Sequence, residues 1–346
     1  MKKKLALSAF SILITLLFAE AALRLLGVGA AGRGSAWFAG GNHQRFLFQP
    51  DAESGYTLRP GFRGREIAPG DEFDVPAAID SRGLRDHPHA APPSPAMLAV
   101  GDSMTFGEGV PVDRTFSAML ERQTGVRTYN AGVPGFSSRQ MIGRLHQLVP
   151  ALRPALVVMT LSPFWDRQRC AAPFVYKDGY IVGRGYVDRL VLLDGNLYLK
   201  ETRLPVLGPA TAYAERYSAL MRLALPALAR GAKALLHGPK KEAPATLAEL
   251  EPTARNLAEA CHFTTSFGAR FLAVLIDDRG EEFRHDRILL QARLRQLGAP
   301  YLAADELLPG ADWPRLRFTR DEHWNAAGHA AVGRALAPKV KLLLAR

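Results

Sequence analysis

Met97-Leu98-Ala99-Val100-Gly101-Asp102-Ser103-Met104-Thr105-Phe106-Gly107 decides the reading of this chain. Its first four residues are a short, unbroken apolar run, the pattern of a strand buried on both faces of a parallel sheet. Gly101 ends the run, and Asp102 and Ser103 stand where a helix would begin, both of them residue types that cap helices. A serine at such a turn is a weak nucleophile until a positioned imidazole takes its proton, and that imidazole needs a carboxylate to fix its tautomer. Far downstream, Asp321-Glu322-His323-Trp324-Asn325 supplies acid and imidazole together, with Gly328 and His329 following at the start of a helical pattern.

Outward from the first stretch, short apolar runs alternate with amphipathic ones. Strands are expected at Met97–Val100, Arg127–Asn130, Ala155–Leu161, Arg270–Ile276 and Pro300–Ala303. Helices are expected at about Phe116–Gln123, Ser138–Val149, Thr246–Phe267, Phe283–Leu297 and Ala326–Leu344. That alternation predicts a parallel sheet covered on both faces, with ligands beyond the carboxyl ends of the strands. Ser103, Asn130 to Gly132, and Ser162 to Asp166 all fall there.

Residues 170 to about 245 break the rhythm. Pro173–Val182 reads as a hairpin turning at Lys177-Asp178-Gly179, and Leu192–Leu199 as a second strand pair. A helix over about Ala210–Arg230 and a basic loop, His237–Lys241, complete this insertion after the third strand, at the rim of the site. Residues 28–95 form an irregular β-rich lead-in, with short strands at Gly55–Phe62 and Ala78–Asp86. The proline-rich His87–Pro95 reads as a linker.

Met1-Lys2-Lys3-Lys4 followed by an apolar stretch from Leu5 has the charge and hydropathy pattern of an export signal. Ala19-Glu20-Ala21 suits a cleavage site, yet the apolar pattern resumes through Leu26, long enough for an uncleaved anchor over residues 1–27. Either form places the domain outside the cytoplasm, and the anchor places it at the inner membrane by the positive-inside tendency. The 346 residues carry a net charge of +11 and a pI near 9.9, which favours anionic neighbours such as headgroups or acidic glycans. The basic residues are scattered rather than interleaved with aromatics, so no nucleic-acid partner is expected. Two cysteines, Cys170 and Cys261, exclude a disulfide-rich scaffold and a four-cysteine metal site; whether they pair stays open.

Together the blocks resemble the SGNH, or GDSL-type, hydrolase superfamily. The resemblance covers residues 97 to about 335 except the insertion, and implies a three-layer α/β/α, flavodoxin-like fold over 96–346. It implies Ser103 as nucleophile, His323 as base and Asp321 as its orienting acid, with no cofactor and no metal. Gly101-Asp102-Ser103 matches the nucleophile block. Asn130-Ala131-Gly132 matches the second, which makes the N–H groups of Ser103 and Gly132 the expected oxyanion donors. The third block normally ends in Asn-Asp; here Asp166 fits, but Trp165 stands where the asparagine belongs. The last block normally reads Asp-x-x-His. Asp321-Glu322-His323 is one residue shorter, and with Trp324 is similar to polysaccharide O-acetyltransferase branches. Asp102, Trp165, Asp166 and Trp324 are candidate substrate contacts, and His329 is expected to be structural. Three functions stay open at this level. One is an exported esterase removing acyl groups, acetyl foremost, from an envelope glycan or lipid. The second is an O-acetyltransferase using the same triad, fed by a membrane-bound O-acyltransferase. The third is a weak carbohydrate-binding module.

Overall fold

A computed structural model describes residues 2–26, 47–67, 72–85, 89, 91, 94–171, 174–177, 180–183, 190–193, 196–199, 218–221, 224, 228, 245–276, 281–319 and 323–345. In chain order, helix α1 spans Lys2–Leu25. Two antiparallel hairpins follow, β1 (Phe48–Asp51) with β2 (Gly55–Leu58) and β3 (Arg63–Ile67) with β4 (Asp74–Ala78). Next come β5 (Ala96–Gly101), α2 (Ser103–Phe106), α3 (Phe116–Thr124), β6 (Arg127–Gly132), α4 (Ser138–Leu152), β7 (Leu156–Leu161) and α5 (Pro163–Ala171). The insertion contributes the hairpins β8 (Phe174–Lys177) with β9 (Tyr180–Gly183) and β10 (Leu190–Leu193) with β11 (Asn196–Leu199). The chain closes with α6 (Leu247–Ser266), β12 (Arg270–Leu275), α7 (Glu281–Leu297), β13 (Tyr301–Ala303), α8 (Ala304–Leu307) and α9 (Ala326–Ala345).

The main sheet has five parallel strands in the order β13-β12-β7-β5-β6. Successive side chains of a strand point to opposite faces, and the apolar runs sort themselves accordingly. Leu98, Val100, Val157 and Met159 join one core with α4, α6 and α7. Met97, Ala99, Leu156 and Val158 join a second core with α3 and α9. Both faces are covered, so an α/β/α sandwich follows from unbroken apolar strands. The chain leaves β5 for the edge strand β6, then returns across to β7. The switch point between β5 and β7, where the crevice of such sheets opens, is where Gly101 leads into Ser103.

The lead-in is part of this body rather than an appendage. Leu47, Phe48, Tyr56, Leu58, Phe62 and Ile79 belong to the first core. Of the segment Ala78–Asp86, expected as a strand, residues 78–85 are instead the end of β4 and a turn in which Asp80 accepts the N–H groups of Arg82 and Leu84, and Asp86 lies outside the described residues. The expected linker is also tied down. Glu121 of α3 accepts from Ala91 N at 3.1 Å and pairs with His89 Nδ1 at 2.6 Å, while Arg127 donates to Ala91 O. Proline made that stretch look open; the anchoring groups are a backbone amide and a histidine, which leave no mark in its composition.

Ser162–Asp166, placed beyond the end of the third strand with no helix expected, leads into and begins α5. Pro163 suits the first helical position, where its missing N–H removes nothing, and Ser162 Oγ accepts the Trp165 N–H at 3.4 Å as a cap. Both expected hairpins of the insertion form, and its expected helix and basic loop lie almost wholly outside the described residues. Cys170 and Cys261 are free thiols. Among the described residues, no helix is long and apolar enough to cross a membrane. The side chains of Leu5, Ala6 and Ala9 in α1 lie outside that description.

Candidate active site

Three loops converge on the carboxyl end of β5, and each is shaped by residues whose roles can be traced. The first holds Ser103. Gly101 has no room for a side chain, since a Cβ there would run into the hydroxyls of Thr105 and Thr160, which bond each other between α2 and β7. Asp102 caps α2 by accepting Met104 N at 3.0 Å, and Gly107, at φ +88°, closes the helix after one turn. Ser103 is thereby fixed at the first helical position, where its own N–H has no acceptor within the helix.

The second loop holds His323. Phe318 N donates to His323 O at 3.0 Å, and Arg317 bridges Trp324, so residues 317–318 and 323–324 lie antiparallel beside each other. Asn325 secures the loop from below: its Nδ2 donates to the carbonyls of Arg315 and Arg317, and its Oδ1 caps α9 through Ala327 N and Gly328 N. Gly328 lets the Leu316 carbonyl approach; a Cβ would collide with it. These restraints bring His323 Nε2 to 2.7 Å from Ser103 Oγ, hydrogen-bond distance for a nucleophile and its base. Asp321 and Glu322 lie outside the described residues.

The third loop follows β6. The Gly132 N–H, expected to face an oxyanion, donates instead to Asn130 Oδ1 at 3.0 Å. Asn130 is fully buried and turns its amide to Thr105 O at 2.8 Å and Ser117 Oγ at 3.1 Å. Position 132 requires glycine for a packing reason: a Cβ would strike the backbone of Thr105 and Phe106. Gly135, three residues on, has φ +80°. Its N–H makes no hydrogen bond among the described residues, so of the two glycines it has the donor to spare.

Of the candidate substrate contacts, three are structural. Both oxygens of Asp102 are committed, one to Met104 N and the other to Arg169 at 3.0 Å. Asp166, 1% exposed, accepts from Ser138 N, Ser138 Oγ and Thr253 Oγ1, joining α5 to α4 and α6; burial raises its pKa and those hydrogen bonds oppose the rise. Trp324 has no exposed surface and sits edge-on to Phe116 and His329 in the second core. Neighbours in extended backbone face opposite ways, so its place beside His323 is what turns it inward. Trp165 is half-buried, edge-on to Phe164 and Phe283, and its backbone N–H donates to Ser162 Oγ. His329 is buried and takes the Phe116 N–H on Nδ1 at 3.2 Å, a structural histidine as expected. Among the described residues, no cluster of side chains suits a metal ion.

Sequence reasoning missed the lead-in's part in the site. Tyr56 Oη donates to Pro134 O at 2.9 Å, and its ring meets Phe136 edge-on. Phe73 packs on Phe318, and Glu72 accepts from Thr319 N. Arg85, wholly buried, donates to the carbonyls of Phe106, Gly107 and Val110. Each of the three loops is braced by one of these contacts.

No family model matches the chain, and no curated protein matches it. Similar solved structures include TesA, at 17% identity and TM-score 0.43, covering 72% of this chain and 99% of its own. A lipolytic protein of the G-D-S-L family from Desulfitobacterium hafniense DCB-2 is similar at 12% identity and TM-score 0.41, over 71% of this chain and 99% of that one. An acetylxylan esterase from Geobacillus stearothermophilus is similar at 13% identity and TM-score 0.38, over 71% and 94%. The assignment of the fold rests on this chain's own strand order, β13-β12-β7-β5-β6, with Ser103 after the first sheet strand and His323 before the last helix, and that is a doubly wound, flavodoxin-like α/β/α fold.

Proposed function

We propose that this chain is a serine esterase of the SGNH type, removing acyl groups, acetyl foremost, from an envelope glycan or lipid. The observation that carries the reading is the 2.7 Å contact between Ser103 Oγ and His323 Nε2 at the switch point of the sheet. As the Ser103 O–H bond breaks, its proton passes to Nε2 and the oxygen's electron pair forms the bond to the acyl carbon. The carbonyl oxygen, now negative, faces the N–H of Ser103. His323 then returns the proton to the departing alcohol, and water repeats the cycle on the acyl-enzyme. Asp321 holds the orienting place that the resemblance gives it.

A second reading, transfer of the acyl group to a sugar hydroxyl, is favoured by the Trp165 substitution. Loss of one oxyanion donor lowers turnover by about 10² to 10³ in other hydrolases; a slow hydrolase leaves time for another acceptor. The exposed apolar side chains of α1, such as Leu7, Phe10, Ile12 and Phe18, support a tether to the inner membrane with the folded body outside the cytoplasm.

A fluorophosphonate probe tests the nucleophile: wild type is labelled at Ser103 and Ser103→Ala is not. Ser103→Ala and His323→Ala lower esterase activity by nearly the same factor, and the double variant is barely worse, because the two act as one unit. A folded wild type that takes no label leaves only the binding-module reading.

A further inference from the structure

One charged side chain beside the Ser103–His323 pair is left without a role by that reaction. Glu108 leaves the same turn as the nucleophile, its N–H donating to Ser103 O at 3.1 Å. Its carboxylate folds inward, 2% exposed, and Oε2 lies 3.6 Å from His323 Nε2, the nitrogen that faces the serine hydroxyl. At that distance the contact is an ion pair rather than a hydrogen bond, so Ser103 keeps the hydrogen bond and Glu108 acts through its field.

Arg85 fixes Glu108 from the far side. Its guanidinium donates to Phe106 O, Gly107 O and Val110 O, carbonyls on both sides of Glu108 along the chain. It also stands 3.6 Å from Glu66 and 4.1 Å from the centre of the Phe106 ring. Burial pulls the Arg85 pKa down, and the charges of Glu66 and Glu108 push it back up. The turn therefore carries a buried cation between two buried carboxylates, an arrangement that is costly unless each charge is answered.

We propose that Glu108, held in place by Arg85, is a positioning residue that acts through His323, stabilising the imidazolium formed when the ring takes the Ser103 proton. The inference rests on the esterase reading above. Positive charge develops at Nε2 as the Oγ–H bond breaks and the Oγ–acyl bond forms; Glu108 neither gains nor loses a proton. Other charged groups face the ring as well. Arg85 lies behind Glu108, and the buried His329 of α9 feels the charges of both Arg85 and His323. Asp321 and Glu322 adjoin the ring in the chain. Glu108→Gln leaves all of these in place, so a difference from wild type reports on Glu108.

The test is the rate of fluorophosphonate labelling of the full chain across pH, for wild type, Glu108→Gln and Glu108→Asp. The rate rises with pH as His323 loses its proton. A carboxylate this close favours the protonated ring, so the midpoint of the labelling profile for Glu108→Gln moves down by about one pH unit. The plateau rate falls by up to about tenfold, the equivalent of that shift. Glu108→Asp, with its charge drawn back, falls between. Circular dichroism checks the fold, and if the glutamine variant is unfolded the aspartate variant decides. A wild-type midpoint in the folded variants overturns the role of Glu108. A wild type that takes no label overturns the serine reading instead, so the two failures are told apart.

Discussion

Lowering the pH from 7 to 5 should destabilise this protein by about 2 kcal/mol through His329 alone. The ring is wholly buried on α9, stacked flat on Phe116, with Nδ1 accepting the Phe116 N–H and Nε2 without a partner among the described residues. A proton on Nδ1 would set two donors against each other. Burial, with added repulsion from Arg85 and His323, therefore brings the pKa down from 6.5 to about 3. The unfolded chain titrates near 6.5, so below that pH it binds a proton that the folded chain refuses. The stabilisation is whole above 6.5 and falls by about 1.4 kcal/mol per unit as pH drops toward 3. Urea unfolding at pH 7, 6 and 5 measures it, with His329→Gln as the reference because glutamine still offers Phe116 an acceptor. Wild type should lose about 2 kcal/mol more than His329→Gln between pH 7 and 5. Equal losses in the two proteins would refute the argument.

Other outcomes follow from the same contacts. Glu121, whose pKa is lowered from 4.5 to about 2, is raised by burial but lowered further by hydrogen bonds from Thr128, His89 and Ala91. Its stabilisation is present above 4.5 and lost as pH falls toward 2, so Glu121→Gln should flatten the fall in melting temperature over that window. Asn325→Ala should cost about 1 kcal/mol as a lost helix cap in a denaturant titration, and should lower kcat as the His323 loop loosens. Gly132→Ala should destabilise by about 2 kcal/mol or more, since its Cβ meets backbone. Trp324→Phe should cost under about 1.5 kcal/mol and leave KM unchanged, because its indole N–H has no partner among the described residues; a large rise in KM would restore it as a substrate contact.

Four of the five sheet strands were legible as short apolar runs bounded by turn residues, β6 (Arg127–Gly132) being the more polar exception, and the observed ends of all five differ from the expected ones by two residues or fewer. Helix α5 was not, because Ser162-Pro163 looks like a turn until proline is allowed the first helical position. Ser103 and His323 announce themselves as short words in the sequence. Arg85 and Glu108 do not: a buried charge carries no local pattern, and its meaning appears only when residues from distant segments meet. Asp166 and Trp324 were misread for the opposite reason. Their places beside the site's loops suggested contact with substrate, while hydrogen bonds and alternation turned them into the cores.

The insertion of Arg85 beneath the Ser103 turn bears on where this polypeptide can be cut. Composition marks the proline-rich stretch before β5 as a linker at which a protease nick or a gene truncation would release the α/β/α body intact. Such a cut would instead withdraw the guanidinium that fills the space under Phe106 and Gly107, together with Tyr56 and Phe73. A piece that begins near residue 47 keeps every one of these contacts, whereas one that begins at β5 leaves the floor beneath Ser103 empty.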